Sequence, residues 1–146
     1  AAFAPEAGET ALGLTGKFPG STLGGALAPP VKLTSGGNDL YIQQPRFHQQ
    51  FAADVSASQA RLMAAGQRPA AEAALAEAST APAWKSVPSW FIYGEKDKNI
   101  PPAALGFMAE RAKSRQTVVV KGASHVVMVS HAPAVAALIE KAATAR

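Results

Sequence analysis

Asp97 and His125 are the two side chains of this 146-residue chain whose types and placement suit acid–base chemistry. A carboxylate held against an imidazole selects its tautomer and stabilises its protonated form. Such an imidazole can take a proton from a hydroxyl nucleophile and pass it to a leaving group. Asp97 falls within the charged segment Glu95-Lys96-Asp97-Lys98, which follows the apolar run Trp90-Phe91-Ile92-Tyr93 and then Gly94. His125 closes Lys121-Gly122-Ala123-Ser124-His125, which follows Thr117-Val118-Val119-Val120. Taken singly, each has a plainer reading: Asp97 as a solvated acid between two lysines, His125 as a structural histidine. Their placement in two loops of the same kind favours the chemical one. Glu95 is the rival acid, and Ser124 reads as a loop-stabilising hydroxyl rather than a nucleophile.

The elements that must position these residues are legible around them. Trp90–Tyr93 is short, aromatic and apolar, as a strand buried on both faces would be, and Gly94 ends it. Pro101 and Pro102 open a helical pattern over 103–113, since proline's missing N–H has no partner in a first turn anyway. Leu105 and Met108 are its expected core contacts, with Phe107 beside them. The β-branched run at 117–120 is the strongest strand signal in the chain. A last amphipathic helix is expected over 134–143, with Val135, Leu138 and Ile139 inward. The order strand, helix, strand, helix implies parallel strands joined by right-handed crossovers. Both loops then lie at the carboxyl edge of one sheet, where functional residues of open α/β sheets gather.

Upstream the pattern changes. Ala1 to Ala4 reads as the tail of a strand ended by Pro5, and 17–30 is rich in Gly and Pro and reads as irregular. Val31–Thr34 and Asp39–Ile42 alternate around Ser35-Gly36-Gly37-Asn38, a hairpin signal. Phe47 to Ala65 is a helical pattern with Phe47, Phe51, Val55 and Leu62 near one face and Gly66 as C-cap, and Pro69 to Ala78 is a second helix. Phe47, Phe51, Trp84 and Met128 are candidate substrate-binding residues lining an acyl or aryl pocket, with Met63 beside them; core packing accounts for the helical spacing equally well. His48 is expected to be exposed, and His131 to be a surface or helix-start residue.

Gly94-Glu95-Lys96-Asp97-Lys98-Asn99-Ile100-Pro101 resembles the acid loop of α/β-hydrolases, which often reads Gly-x-x-Asp-x-x-Ile/Val-Pro. Gly122-Ala123-Ser124-His125 resembles their histidine loop, and acid before histidine is their chain order. Glu95 departs from that spacing. Ala2-Phe3-Ala4-Pro5 resembles the end of the strand that precedes their cap. The likeness is to small bacterial esterase-like members with a helical lid. It implies an α/β fold, specifically the C-terminal part of an α/β-hydrolase: parallel strands with crossover helices and a cap insertion. Residues 1–16 would be a strand end and loop, 17–82 the cap or lid, and 83–146 the C-terminal core. No Gly-x-Ser-x-Gly elbow and no His-Gly-Gly oxyanion loop occurs, Gly20-Ser21-Thr22-Leu23-Gly24 having the wrong spacing. The resemblance therefore implies a serine hydrolase of a small ester or related acyl substrate, with Asp97 and His125 as triad acid and base and the serine in absent upstream sequence. Hydroxynitrile lyases, haloperoxidases and thioesterases share the fold. The alternative is a non-catalytic half-domain that assembles with itself or a partner through exposed sheet edges.

Composition narrows the rest. With 48% hydrophobic and 16% charged residues the chain reads as globular rather than disordered. A net charge of +4 without a basic run or stripe carries no nucleic-acid footprint. The absence of cysteine removes disulfides and thiolate chemistry. No metal and no cofactor is expected, since no His-x-x-x-His spacing links Asp97, His125 and His131. No apolar stretch approaches a membrane span. The N-terminus has no signal-peptide pattern; the compartment stays open, with a soluble, cytoplasmic location favoured over export. Two or three strands leave apolar sheet faces open. The isolated chain is therefore expected to pair with a missing N-terminal half, an identical chain or an exchanged strand. A compact, monodisperse monomer by small-angle scattering would refute this.

Overall fold

Residues 3–145 are described by a computed structural model. In chain order the elements are α1 (Ala11–Gly16), α2 (Leu23–Ala26), β1 (Val31–Lys32), β2 (Asn38–Leu40), α3 (Gln44–Phe51), α4 (Ala57–Ala65), β3 (Ala70–Ala71), α5 (Glu72–Ala76), a 3-10 turn at Ala83–Lys85, β4 (Trp90–Gly94), α6 (Pro102–Arg111), β5 (Gln116–Val120), α7 (Val127–Ser130) and α8 (Ala132–Thr144). β4 and β5 pair in parallel, in register from Trp90 with Gln116 to Gly94 with Val120. α6 makes the connection. It buries Ala104, Leu105, Met108 and Ala109 on one helical face, and its first residue is the proline that needs no N–H partner.

The core has two parts. Ala4, Leu14, Tyr93, Ile100, Ala104, Leu105 and Met108 pack around β4 and α6. Ala26, Ile42, Phe47, Ala52, Ala60, Ala64 and Val126 pack α2, α3 and α4 together. Val126 immediately follows His125, so the second cluster joins the upstream helices to the histidine loop. A small antiparallel sheet in the order β1-β2-β3 flanks it, with β1 and β2 turning through Gly36 and Gly37 at φ 90° and 85°. Among the described residues no helix is long and apolar enough to cross a membrane.

Several expectations are corrected. The single helix over 47–65 is two helices broken at Ala52–Ser56, where the Ser56 hydroxyl accepts from Gln59 N (3.2 Å) and starts α4 afresh. The new phase buries Ala60 and Ala64 and leaves Leu62 76% exposed. Ala70 and Ala71, expected in a helix, pair with β2 instead. Of the expected strand tail, Ala1 and Ala2 lie outside the described residues, and Phe3 and Ala4 are in no strand. The backbone of Ala4 is met by side chains of α6: its N–H reaches Met108 Sδ (3.1 Å) and its carbonyl accepts from Arg111 Nη2 (2.5 Å). β4 is only half-buried over Trp90–Ile92, becoming buried at Tyr93 and Gly94. In α8, Leu138 is buried and Ile139, one residue and about 100° further round, is 62% exposed. His48 is half-buried, with Nε2 3.0 Å from Val55 O.

Glu9 fastens the N-terminal segment to α6. Its carboxylate meets Glu6 N (2.8 Å), Lys17 Nζ (2.7 Å) and Arg111 Nη1 (2.8 Å). The Glu6 N–H and then Lys17 pull its pKa down to about 2, from 4.5. A depressed carboxylate contributes stability above its unfolded value that is lost as pH falls through the folded value. Glu9→Gln should therefore melt below wild type at pH 7, and the gap should close between about pH 4.5 and 2. Circular dichroism melts across that range check it; a gap independent of pH would refute it.

Candidate active site

Two loops leave the carboxyl ends of β4 and β5 and are bonded to each other. Glu95 N donates to Val120 O (3.0 Å) and Lys96 N to Ala123 O (2.9 Å). The Glu95 carboxylate accepts from Gly122 N (2.9 Å), so the rival acid braces the histidine loop rather than facing His125. Gly122 takes φ 74°, the left-handed conformation that lets the loop turn. Asp97, despite the lysines on either side, is buried. Its Oδ1 accepts from Asn99 N (2.8 Å) and Ile100 N (3.0 Å), and its Oδ2 lies 2.7 Å from His125 Nδ1. A carboxylate oxygen can only accept, so Nδ1 carries the proton, and in the neutral ring Nε2 is left as the base. The His125 side chain is 16% exposed, and its ring centroid lies 4.8 Å from that of Phe51.

Residues that sequence reading passed over hold the acid loop in place. Gln50, on the buried face of α3, donates to Lys98 O (3.0 Å) and Asn99 Oδ1 (2.9 Å), and accepts from Thr22 Oγ1 (2.8 Å). Ser21 Oγ donates to Asn99 O (2.9 Å). The available signal was a polar residue three positions after Phe47, on a helix face that is otherwise buried. A second carboxylate, Asp54 in the α3–α4 bend, accepts from the Ser124 hydroxyl. Burial alone would push the Asp54 carboxyl up, but the hydroxyls of Ser124 and Ser130 hold it below its ordinary value. Ser124 is thus turned towards the bend, where it also donates to Phe51 O (3.3 Å).

His125, Phe47, Phe51, Leu27, Met63 and Ile100 line a cavity of about 710 Å³. The structure brings Phe47 and Phe51 to His125 and does not bring Trp84 or Met128. Trp84 Nε1 donates to Pro5 O (2.8 Å), and its ring lies under the Arg111 guanidinium at 5.3 Å, in a separate crevice with Trp90 and Phe91. Met128 is exposed, because Val127 takes the inward position at the start of α7 and the next residue points away. His131 stands at the N-cap position of α8 without a side-chain capping bond, half-buried, its Nδ1 3.0 Å from Ser130 Oγ. Among the described residues no group of His, Asp and Glu could hold a metal ion.

A model of the alpha/beta hydrolase family matches residues 3–138. No curated protein matches by sequence. Among solved structures, a polyneuridine aldehyde esterase superposes with a TM-score of 0.64 at 18% identity, over 79% of this chain and 47% of that one. A pyrethroid hydrolase from Sphingobium faniae JZ-2 superposes with a TM-score of 0.59 at 18% identity, over 97% of this chain and 58% of that one. The chain spans about half the length of these structures, and at this identity the likeness is one of fold.

The closeness of the two loops depends on Gly94. A Cβ there would lie 2.3 Å from Ser124 O and 2.4 Å from Ala123 O, both backbone atoms that no rotamer change can move. Gly94→Ala should cost about 2 kcal/mol or more by forcing the loops apart. At Gly122 no atom lies within 4 Å of the added Cβ, so Gly122→Ala should cost only the left-handed backbone, about 1 kcal/mol. Urea unfolding of the two variants checks the order; a Gly94→Ala chain as stable as wild type would contradict it.

Proposed function

From the chain's membership of the alpha/beta hydrolase family, we propose that it supplies the acid, the base and the lid of a serine hydrolase acting on an ester or related acyl compound. The observation that carries this reading is the 2.7 Å contact from buried Asp97 Oδ2 to His125 Nδ1, in a ring that lines a large apolar cavity. His125 Nε2 takes the proton of a serine hydroxyl as its oxygen attacks the acyl carbonyl, and returns it to the leaving alkoxide. Water then repeats the sequence on the acyl-enzyme. Asp97 holds the tautomer and stabilises the imidazolium. The serine and the oxyanion donors come from polypeptide outside these 146 residues, consistent with the missing Gly-x-Ser-x-Gly elbow and with Ser124 and Ser21 being bonded elsewhere.

The cavity supports a substrate with a sizeable apolar part, with Arg68 as the charged side chain on its wall. Thr15, Ser21, Gln67 and the side-chain carbonyl of Asn99 on its wall hydrogen-bond within the protein, so most of the wall's polar groups are already engaged and apolar surface dominates what a ligand meets. The two solved neighbours are named for an esterase and for pyrethroid hydrolysis, which agrees with ester chemistry. A further part of the same fold, or an identical chain, is the proposed partner: Val119 on β5 and Val87 just before β4 are exposed apolar residues beside a two-stranded sheet.

Ester hydrolysis by a longer protein carrying this chain and an upstream serine motif should fall by about 10⁶ in kcat on His125→Ala and by about 10⁴ on Asp97→Asn. The 146-residue chain should not turn over ester. A His125→Ala enzyme with undiminished kcat would sink the assignment, and esterase activity in the 146-residue chain lost on His125→Ala would place the nucleophile within it.

A further inference from the structure

Asp54 is a half-buried carboxylate next to the site that neither the core nor the Asp97–His125 pair requires. Its side chain is 17% exposed. Oδ1 accepts from Ser124 Oγ; buried Oδ2 makes no hydrogen bond of ordinary geometry and lies 3.6 Å from His131 Nδ1, and the Ser130 hydroxyl also acts on the carboxylate. A lid bend that merely needed filling would hold an apolar residue at lower cost, because removing an anion from water is expensive.

The partners of Asp54 explain its placement. Ser124 is bonded through its peptide to His125. Phe51, three residues before Asp54, puts its ring against the His125 ring at 4.8 Å and its carbonyl within 3.3 Å of the same Ser124 hydroxyl. Val126, on the other side of His125, is buried with Ala52, Ala60 and Ala64 of the lid helices and the bend between them. The imidazole is therefore gripped from two directions. Asp97 fixes Nδ1 from the core, and the α3–α4 bend fixes the peptide on both sides of the residue and one face of the ring.

We propose that Asp54 is a positioning residue for His125, acting through the Ser124 hydroxyl, so that seating the lid and orienting the imidazole are one event. The inference rests on His125 being the base. Asp54 is not among the residues that line the cavity, and its partners are Ser124 and His131 rather than the His125 ring. Its role is to keep the histidine loop where Nε2 can reach a nucleophile, and displacements of about 1 Å at such a point cost on the order of 100-fold in rate.

The test has a readout that needs no turnover and one that does. In the 146-residue chain, the His125 Nδ1–H proton bonded to Asp97 should give a low-field NMR signal that shifts or broadens in Asp54→Asn and in Ser124→Ala, and is retained in Ser124→Thr, which keeps a hydroxyl. In the longer enzyme, Asp54→Asn and Ser124→Ala should each lower kcat about 10- to 100-fold. The double variant should be no worse than the poorer single, because both break one path. Asp54→Asn preserves shape, and Ser124→Ala breaks the same contact from the core side, so a folding defect in one leaves the other to decide. An unchanged Nδ1–H signal in both variants, or fully additive kcat losses, would overturn the proposal. If the signal moves as expected while His125→Ala leaves hydrolysis intact, the coupling stands and the hydrolase reading falls.

Discussion

The structure turns on taking one carboxylate out of water. Asp97 is buried between two lysines that remain at the surface, and a buried anion persists only if donors replace its hydration. Two of those donors are backbone N–H groups of its own turn, at Asn99 and Ile100, and the third is His125 Nδ1. Meeting the first two bends the loop after β4 into a tight turn that delivers Ile100 to the core and Pro101 to the start of α6. Meeting the third requires the loop after β5 to come within hydrogen-bonding distance. That approach is permitted by the missing Cβ at Gly94 and locked by the Lys96–Ala123 and Glu95–Gly122 bonds. The strand pairing, the glycine and the acid–imidazole contact are thus one geometric constraint seen at three scales.

A second layer of contacts makes α3 and the α3–α4 bend part of the same unit. Gln50 on α3 bonds the acid loop, and Asp54 beyond α3 bonds the histidine loop. The helix between 44 and 51 therefore touches both halves of the pair, while its aromatic residues Phe47 and Phe51 stack with each other at 5.0 Å and wall the cavity. Polar anchoring through Gln50 and Asp54 and apolar lining through Phe47 and Phe51 divide the labour. The hydrogen bonds set where α3 sits, and the cavity's walls offer a ligand mostly apolar surface, with the imidazole and Arg68.

Much of this was legible in the sequence because it rests on local pattern. Trp90–Gly94 and Thr117–Val120 announce strands by composition, Pro101-Pro102 announces the helix between them, and the acid and histidine spacings resemble an α/β-hydrolase, the family whose model matches residues 3–138. Where reading erred, the signal was local but the decision was not. Trp84 is aromatic and lies a few residues before β4, yet Pro5 O and Arg111 draw it to another crevice. Leu62 fits the apolar period of Phe47 and Phe51, yet Ser56 restarts the helix and changes its phase.

By itself, then, the sequence determined that two chemically apt residues follow two successive strands, because strand and helix periodicity and proline and glycine stops act over a few residues each. Only the tertiary structure decided that Asp97 rather than Glu95 meets the imidazole, that Gln50 and Asp54 support it, and that Phe47 and Phe51 but not Met128 line the cavity. Those choices depend on which side of a strand end or helix turn faces a distant neighbour. A hydrogen bond between residues 28 or 70 positions apart leaves no period in the chain to be read.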